Sequence, residues 1–549
     1  MAYAYKRKIT IDSTKIDATL ADYPVMVKLD DTNFDFTKAK ADGSDIRFTD
    51  TNDNLLKHEK VEYNPGGSGQ GAPPPPIGRF NVQIPEVSST IDTEFYMHYG
   101  NPDAYNTSIE AWQDQTGKEL TYNGNVKLDW DSGVGRRVAK FDGDGDYFTV
   151  PDSSDLRLGT TYTIEFWVNL SAKNSIQNDI LAKGYYLSGV SGGFTIRNIT
   201  SARNGLEFWG STSNTSVTVL FQDLGQLPTA QWSNVAITST GANTYIFLNG
   251  VLLQTTTTVF NLSGSGHPLI ISGNTTSCSI NGSMRGLRIT KGRARYTSNF
   301  TPPTSFEIDG SDVVFCTNFD TIYDNNFVMV QHMGDSLVDA TGNGNNGTNY
   351  GSTVVDGLNG KARSFDGVDD YILVTQNASL NNAHYTYTFV SKLNVPLSSQ
   401  SYNYPMLFYK RGATVGNALY YSKIASELQQ SFGSGSTLNY GDYAIDYDTT
   451  DYMVISITHD GTSGKLYNLG ILKDEIVSAH SAGTESISIG NGANHPANCT
   501  IDEVRISNIA RSDAWIKADD YNLRQWNLYS WHEEEELSKR NAIFFGFNF

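Results

Sequence analysis

The stretch from Thr161 to Leu170 reads TYTIEFWVNL and alternates apolar with mainly polar residues. Successive side chains of an extended strand point to opposite faces of a sheet, so the apolar set shares one face. That set is Tyr162, Ile164, Phe166 and Val168. A period of two predicts a half-buried antiparallel strand. Similar stretches recur along the chain, whereas helical periodicity is confined to Ser512 to Trp526, so the sequence predicts an all-β fold.

The chain also repeats itself. FDGDGDY at 141–147 returns as FDGVDDY at 365–371, and downstream Arg288 in GLRIT corresponds to Arg505 in EVRIS. The two marker pairs occur in the same order and at nearly equal spacing, which predicts a duplicated domain of about 200 residues. Because the two arginines occupy equivalent positions, we expect each to form an internal ion pair or strand-edge contact.

Composition excludes several classes of protein. The 549 residues include 40 Lys and Arg against 59 Asp and Glu, so the net charge is −19, and no basic cluster appears. Such a chain is a poor binder of nucleic acid. No run of 18 apolar residues is present, so we expect no membrane insertion. The first ten residues lack the apolar segment of a secretory signal. The three cysteines are widely spaced and are expected to be buried free thiols.

Several strings resemble known families. FDGDGDY, TYIFLNG (244–250) and GLRITKGRARYTSNFTPP (286–303) resemble a LamG, or concanavalin A-like, jelly-roll module. The string RITKGRARYTSNFTPP is similar to the version found in bacteriophage structural and tail proteins. FDGVDDY and IDEVRISNIARSDAW (501–515) resemble a second module of the same superfamily.

The first hundred residues resemble a domain of unknown function that often precedes LamG modules in phage and cell-surface proteins. The matching strings are YKRKITI (5–11), DGSDIRFTD (42–50) and HYGNP (98–102). Residues 321–333 resemble the linker that normally follows that domain directly. The resemblance therefore implies that the first LamG module is inserted, and that the first domain packs against the second module.

These observations predict three antiparallel β-sandwich domains, two of them LamG-like jelly rolls. We expect an N-terminal sandwich at 1–105, a first jelly roll at 106–318 and a second at 319–526. Residues 527–549 are expected to form a C-terminal tail that ends in an apolar strand. Within the tail, the run Glu533 to Glu536 is expected to be a solvated helical segment.

Aromatic residues in turn-rich stretches are the candidate ligand-binding residues, because Tyr and Trp present rigid faces that suit sugars or proteins. We select Trp209, Tyr402, Tyr404, Tyr440 and Tyr443. The alternative for each is packing in the core or at its rim. At the C-terminus, Phe545, Phe547 and Phe549 share one face at a period of two. This strand either completes its own sandwich or adds to a neighbour's sheet edge, and in the second case deletion of 541–549 abolishes assembly.

The acidic residues of FDGDGDY offer two interpretations. Asp142, Asp144 and Asp146 supply the carboxylates that a Ca²⁺ site needs, but the intervening glycines favour a turn with Asx hydrogen bonds. We favour the turn, and we expect no cofactor and no metal site. FDGVDDY, with fewer oxygens in the turn, is the weaker calcium candidate. His459-Asp460 invites a catalytic triad, but no GxSxG motif accompanies it, and Asp460-Gly461 is better explained as a hairpin turn.

The resemblance implies a non-enzymatic protein of the virion surface with no catalytic residues. Capsid decoration, a head fibre and a tail component are the expected roles, with jelly-roll loops displayed for attachment to host glycan or protein. Expected partners are other virion proteins, a host cell-surface glycan and further copies of the chain. The alternatives are a bacterial cell-surface adhesin and a virion-associated glycan hydrolase, which would need two carboxylates across a cleft.

Overall fold

The computed structural model describes residues 3–537 apart from 67–74, 103–119, 124–125, 132–135, 174–176, 185–192, 201–204, 214–215, 222–223, 265, 274–277, 307–310, 319–320, 413–414, 435–437, 445–450 and 525–526. The chain divides into two compact units. Unit 1 joins Met1–Ala104 to Thr321–Phe549, and unit 2 is Tyr105–Asp320. Apart from α1 and 3₁₀ turns, regular structure in the described residues is all strand, which confirms the all-β prediction.

The N-terminal part of unit 1 contains β1 (Tyr5–Ile11), β2 (Leu20–Asp30), β3 (Arg47–Thr49), β4 (His58–Asn64), β5 (Ile77–Val87) and β6 (Thr93–Tyr99). Unit 2 contains β7 (Thr121–Asn123), β8 (Lys127–Asp131), β9 (Arg136–Asp142), β10 (Tyr147–Val150), β11 (Thr161–Ala172), β12 (Gln177–Lys183), β13 (Phe194–Ile199), β14 (Gly205–Ser213), β15 (Ser216–Phe221), β16 (Trp232–Thr240), β17 (Thr244–Leu248), β18 (Val251–Thr256), β19 (Leu269–Ile271), β20 (Asn281–Lys291) and β21 (Val313–Thr317).

The C-terminal part of unit 1 contains β22 (Phe327–Gln331), β23 (Gly347–Tyr350), β24 (Thr353–Asp356), β25 (Lys361–Asp366), β26 (Tyr371–Val374), β27 (Tyr385–Leu393), β28 (Met406–Arg411), β29 (Val415–Ser422), β30 (Glu427–Ser434), β31 (Leu438–Ala444), β32 (Met453–His459), β33 (Ser463–Asn468), β34 (Ile471–Val477), β35 (Ile487–Ile489), β36 (Asn498–Ser507), α1 (Asp513–Leu523) and β37 (Tyr529–Glu536). Short 3₁₀ turns lie at Ser13–Lys15, Phe36–Lys38, Ala378–Leu380 and Leu397–Ser399.

The strands form six antiparallel sheets among the described residues. In unit 1, sheet I has the order β3-β6-β1-β37 and sheet II the order β2-β5-β4. In unit 2, sheet III runs β15-β14-β13-β12-β19-β10-β7 and sheet IV runs β18-β17-β16-β11-β20-β9-β8, with β21 also paired to β20. Unit 1 adds sheet V, β24-β25-β36-β27-β32-β33-β34 with β22 on β36, and sheet VI, β23-β26-β35-β28-β29-β30-β31. Sheet III has the same strand order as sheet VI read from its other end, and sheet IV corresponds to sheet V in the same way. This equivalence confirms the duplication.

The stretch that decides the fold forms β11, which lies between β16 and β20 in sheet IV. Its four apolar residues are 0–1% exposed and belong to the core of the sandwich. The other face is covered as well, because the chain after β20 folds back over it. Tyr296 donates a hydrogen bond to Glu165 at 2.9 Å, and the Trp167 indole donates one to the Pro303 carbonyl at 2.8 Å. The string at 288–303 therefore helps to cover this face of its own module.

The sequence predicts two helical segments, and the structure confirms only the first. Helix α1 begins after Ser512, whose hydroxyl accepts a hydrogen bond from the Trp515 backbone amide, and it buries Trp515, Ile516 and Leu523 as expected. The prediction that Glu533 to Glu536 is helical is wrong. These residues lie in β37, which pairs with the basic strand β1 along its length.

The first domain and the second jelly roll share one core within unit 1. Ile322, Tyr323, Phe327 and Trp515 pack with the apolar residues of sheets I and II. A buried charge cluster joins the same two parts. Glu503, on β36, accepts hydrogen bonds from Arg79 on β5 at 2.5 Å and from Arg505 at 3.0 Å. The two parts thus bury apolar and charged groups together and form one compact unit.

The structure tests the predictions for the cysteines and for the two equivalent arginines. Cys278, Cys316 and Cys499 are buried and form no disulfide among the described residues, as predicted. Arg288 pairs with Glu165 and Arg505 with Glu503, which confirms the expected internal ion pairs. Phe545, Phe547 and Phe549 lie outside the described residues. No helix in the described part of the chain is both long and apolar enough to cross a bilayer.

Candidate ligand-binding surfaces

Tyr402 and Tyr404 lie together on the loop between β27 and β28, where each is more than a third exposed, at 36% and 37%. The loop is held at both ends. Gln400 exchanges two hydrogen bonds of 2.9 Å with the backbone of Asn498, and the Lys423 amide donates to the Asn403 carbonyl at 2.8 Å. Backbone anchoring of this kind fixes the loop on the sandwich, so the rings are presented with little freedom to lose on binding.

The two rings pack edge-on around His495. The ring centroids of Tyr402 and His495 are 5.7 Å apart at 89°, and those of Tyr404 and His495 are 6.2 Å apart at 90°. Tyr404 also meets Tyr420 on β29 at 6.0 Å and 85°. We call Tyr402, Tyr404, Tyr420 and His495 the tyrosine surface. Edge contacts orient aromatic rings while leaving part of each face open to a ligand.

A small apolar cluster supports this surface from the outer face of sheet VI. It consists of Met406, Ala418 and Tyr420, with Tyr409 packed against them, and it is separate from the core of the sandwich. Tyr420 is only 6% exposed, so it acts as a base for the loop rings. His495 is placed by the hydrogen bond from the Met406 backbone amide to its carbonyl at 2.9 Å, and it is not among the residues predicted from the sequence. No local sequence signal marks it, because it lies far from Tyr404 along the chain.

The other selected aromatic residues do not lie on loops. Tyr440 and Tyr443 are in β31, where their backbones pair with Ser431 and Leu428, and their side chains lie outside the described part. Trp209 lies within β14 of unit 2, so the prediction of a loop tip is wrong for it. Its indole donates to Glu207 at 2.6 Å, and the Arg197 guanidinium stacks at 4.4 Å from the ring centroid. These partners make Trp209 part of a polar layer on sheet III.

The two acidic motifs, FDGDGDY and FDGVDDY, both form turns, but their carboxylates are grouped differently. In FDGDGDY, the Asp142 amide donates to Asp146 at 2.7 Å and the Asp144 amide to Asp142 at 2.8 Å, which confirms the turn. In FDGVDDY, Asp366, Asp369 and Asp370 each offer an oxygen within 4.8 Å of the others. The carboxylates of FDGVDDY are therefore the more closely grouped, although the sequence made FDGDGDY the stronger calcium candidate. The amides of FDGVDDY again donate to the carboxylates, at 2.8 and 3.0 Å, so this stretch forms the same kind of turn.

Asp460 and Gly461 lie in the hairpin turn between β32 and β33, as predicted. The Asp460 carboxylate accepts hydrogen bonds from the Thr462 and Ser463 amides at 2.8 Å each, and these bonds lower its pKa to about 2. The His459 ring accepts from the Gly461 amide at 2.9 Å. Both groups are therefore used to close the turn between β32 and β33.

A laminin G family model, described as the concanavalin A-like lectin/glucanases superfamily, matches residues 142–295. No curated protein matches the chain. Among solved structures, the binding domain of Paraclostridial Mosquitocidal Protein 1 is 15% identical with a TM-score of 0.33, covering 36% of this chain and 52% of that one. The chain thus spans about half the length of that domain.

Two further solved structures are similar over different shares of the chain. The LG4-5 domains of the mouse laminin alpha1 chain are 11% identical with a TM-score of 0.23, covering 71% of this chain and 92% of that one. The CBM40 of the Ruminococcus gnavus IT-sialidase, bound to alpha2,3 sialyllactose, is 12% identical with a TM-score of 0.24, covering 32% and 97%. Residues 142–295 of this chain are thus similar to concanavalin A-like domains of the laminin G type.

Proposed function

We propose that this chain is a non-enzymatic surface protein of a bacteriophage particle that attaches to host polysaccharide through the tyrosine surface. Capsid decoration, a head fibre and a tail component remain the candidate positions on the particle. The observation that carries the proposal is the pair Tyr402 and Tyr404, exposed on an anchored loop with their edges fixed against His495. The phage origin rests on the resemblance of residues 288–303 to phage structural proteins.

The chemistry of the surface suits a sugar chain. A tyrosine ring lies against the apolar CH face of a pyranose, and its hydroxyl reaches the sugar hydroxyls. Only two side-chain torsions are fixed on binding, so the entropy cost is small. Each such contact is weak, but many copies on one particle bind a repeating polysaccharide together and raise the overall affinity.

Hydrolysis is the alternative that the family description keeps open, since that superfamily includes glucanases. A glycosidase places two carboxyl groups about 5–10 Å apart across the scissile bond. The tyrosine surface instead supplies phenol rings and an imidazole. Binding without cleavage is therefore the function that this surface supports.

Binding is tested with an array of bacterial capsular polysaccharides and lipopolysaccharides, using the full chain and the double variant Tyr402→Ala/Tyr404→Ala. We expect the wild type to bind one class and the variant to lose at least about tenfold in affinity, equivalent to about 1.4 kcal/mol. The matched control is Tyr350→Ala, because Tyr350 is 43% exposed elsewhere in the same jelly roll. Equal loss in both variants, or none in either, contradicts the proposal.

The particle assignment needs a separate experiment. Antibodies against the chain are applied to purified phage particles, and labelling is located by electron microscopy. The proposal predicts regular labelling on the capsid or the tail. Labelling of the bacterial envelope with unlabelled particles would instead support an adhesin.

A further inference from the structure

A cavity of about 280 Å³ lies where the edge strands β2 and β37 meet α1 in unit 1. The two strands end sheets II and I, so neither has a further strand to cover the gap beside it. They touch through the Lys28 amide, which donates to the Tyr529 hydroxyl at 3.2 Å. The lining comprises Lys28, Asp30, Asn33, Tyr521, Asn527, Leu528, Tyr529 and Trp531. No sequence motif marks this set, because it joins the first domain to the segment that follows the second jelly roll.

Aromatic rings form the apolar part of the lining. Tyr529 and Trp531 meet edge to face, with centroids 5.8 Å apart at 85°. The guanidinium of Arg7 stacks on Trp531 at 4.6 Å and also donates to the His532 carbonyl at 2.8 Å. Trp531 is thereby held in place from outside the cavity. Buried Leu528 closes the lining between these rings and α1.

The polar groups of the lining are fixed by the protein before any ligand arrives. The Asn33 amide bridges the two ends of the turn, accepting from the Asp30 amide at 3.1 Å and donating to the Lys28 carbonyl at 3.2 Å. Asp30 Oδ1 accepts from the Thr32 amide at 3.0 Å. Among the described residues, no donor contacts Asp30 Oδ2. A carboxylate oxygen held in this way accepts a hydrogen bond from a ligand hydroxyl without rearrangement.

We propose that this cavity binds a single neutral pyranose residue, which contacts the rings of Tyr529 and Tyr521 and donates hydroxyl hydrogen bonds to Asp30. The volume of about 280 Å³ lies just below the range of about 300–1,000 Å³ for small-molecule sites, which suits a ligand of one ring. The aromatic rings can pack against the apolar CH face of a sugar, and the carboxylate beside them can accept hydrogen bonds from its hydroxyls. The Arg7 guanidinium lies 4.6 Å from the Trp531 ring centroid and the Lys15 ammonium 5.2 Å from that of Tyr521, and these cations disfavour a quaternary ammonium ligand.

This site is separate from the tyrosine surface and does not depend on it. The experiment therefore uses the full chain carrying Tyr402→Ala/Tyr404→Ala as its background. Saturation-transfer difference NMR is recorded with D-glucose, D-galactose, D-mannose and N-acetyl-D-glucosamine, and with choline for contrast. We expect saturable binding of at least one sugar, with a dissociation constant on the order of 1 mM for so small a ligand.

Variants assign the signal to the cavity. Asp30→Asn removes the charged acceptor and Tyr521→Ala removes part of the wall, and each should weaken binding about tenfold. The matched control is Asp35→Asn, because Asp35 accepts from the Thr37 amide at 3.1 Å in the same kind of turn but does not line the cavity. The proposal is overturned if no sugar binds saturably, if choline binds instead, or if Tyr521→Ala and Asp30→Asn both bind like Asp35→Asn.

Discussion

His332 is a buried histidine that contacts both parts of unit 1. Its ring lies 2.9 Å from Glu503 and 3.3 Å from Glu59, so it links the second jelly roll to the first domain. Burial acts to lower the pKa of His332, but the carboxylates of Glu503 and Glu59 outweigh it and raise the pKa to about 9. The imidazolium is therefore the form that joins the two parts at neutral pH.

The raised pKa predicts the pH dependence of stability. The unfolded chain has a histidine pKa near 6.5, so the stabilisation is complete below that pH and is lost as pH rises through about 9. The pKa difference of about 2.5 corresponds to up to about 3 kcal/mol. We expect His332→Gln to flatten the fall in unfolding free energy between pH 6.5 and 9, measured by denaturant titration. Exposed His532→Gln serves as the control, and an unchanged slope in His332→Gln would contradict the assignment.

The sequence predicts some of the important residues but not the partners that they contact. Equivalent positions predicted that Arg288 and Arg505 form internal ion pairs, and both do. Their partners differ, because Glu165 comes from the neighbouring strand β11, whereas Glu503 lies on the same strand as Arg505. Likewise Tyr402 and Tyr404 were correctly placed on an exposed loop, but His495 was not predicted. Partners that come together only in the folded chain leave no local pattern.

Among the elements, β37 is the one that local sequence describes worst. Four successive glutamates favour a helix by intrinsic propensity. In the structure, however, Glu534 and Glu535 pair with Arg7 and Lys6 of β1, and Glu534 contacts Lys38 at 2.5 Å. Opposite charges directly across a sheet stabilise the pairing, and this overrides the local preference. The two partners are the first and last strands of the described chain, so only tertiary structure identifies the pairing.

Two truncations test the role of this element. Deletion of 529–549 removes β37 and uncovers β1, so it should lower the thermal midpoint of unit 1 by at least about 5 °C. Deletion of 541–549 leaves β37 whole and should leave the midpoint unchanged, as measured by calorimetry. The shorter truncation also tests the predicted assembly strand with Phe545, Phe547 and Phe549. An oligomer that survives it would show that this strand does not join subunits.

At the scale of the whole molecule, unit 1 is built from two separated stretches of chain. Phe327 and Trp515 belong to the same core as the first domain, and Arg79 of that domain is 1% exposed against Glu503. The resemblance of residues 321–333 to a linker predicted such an insertion, but it could not supply the contacts. Those depend on the apolar and charged faces of both stretches meeting in space.

Fragments of the chain should therefore fold differently. We expect residues 105–320 to fold alone, because their apolar residues form a core of their own. Residues 1–104 alone should give a poorly dispersed NMR spectrum, because Arg79 loses Glu503 and β1 loses β37. Co-expression with residues 321–549 should restore dispersion. A well-dispersed spectrum from 1–104 alone would contradict the shared core.

We propose above that the sandwiches bind a polysaccharide without cutting it. The most direct measurement mixes the full chain with the polysaccharide that binds best on the array and follows both by size-exclusion chromatography with light scattering. We expect a complex that elutes earlier than either component, and we expect the polymer recovered after proteolysis to keep its original length. Polymer that shortens with time would contradict the claim, as would a polymer that Tyr402→Ala/Tyr404→Ala binds as tightly as the wild type.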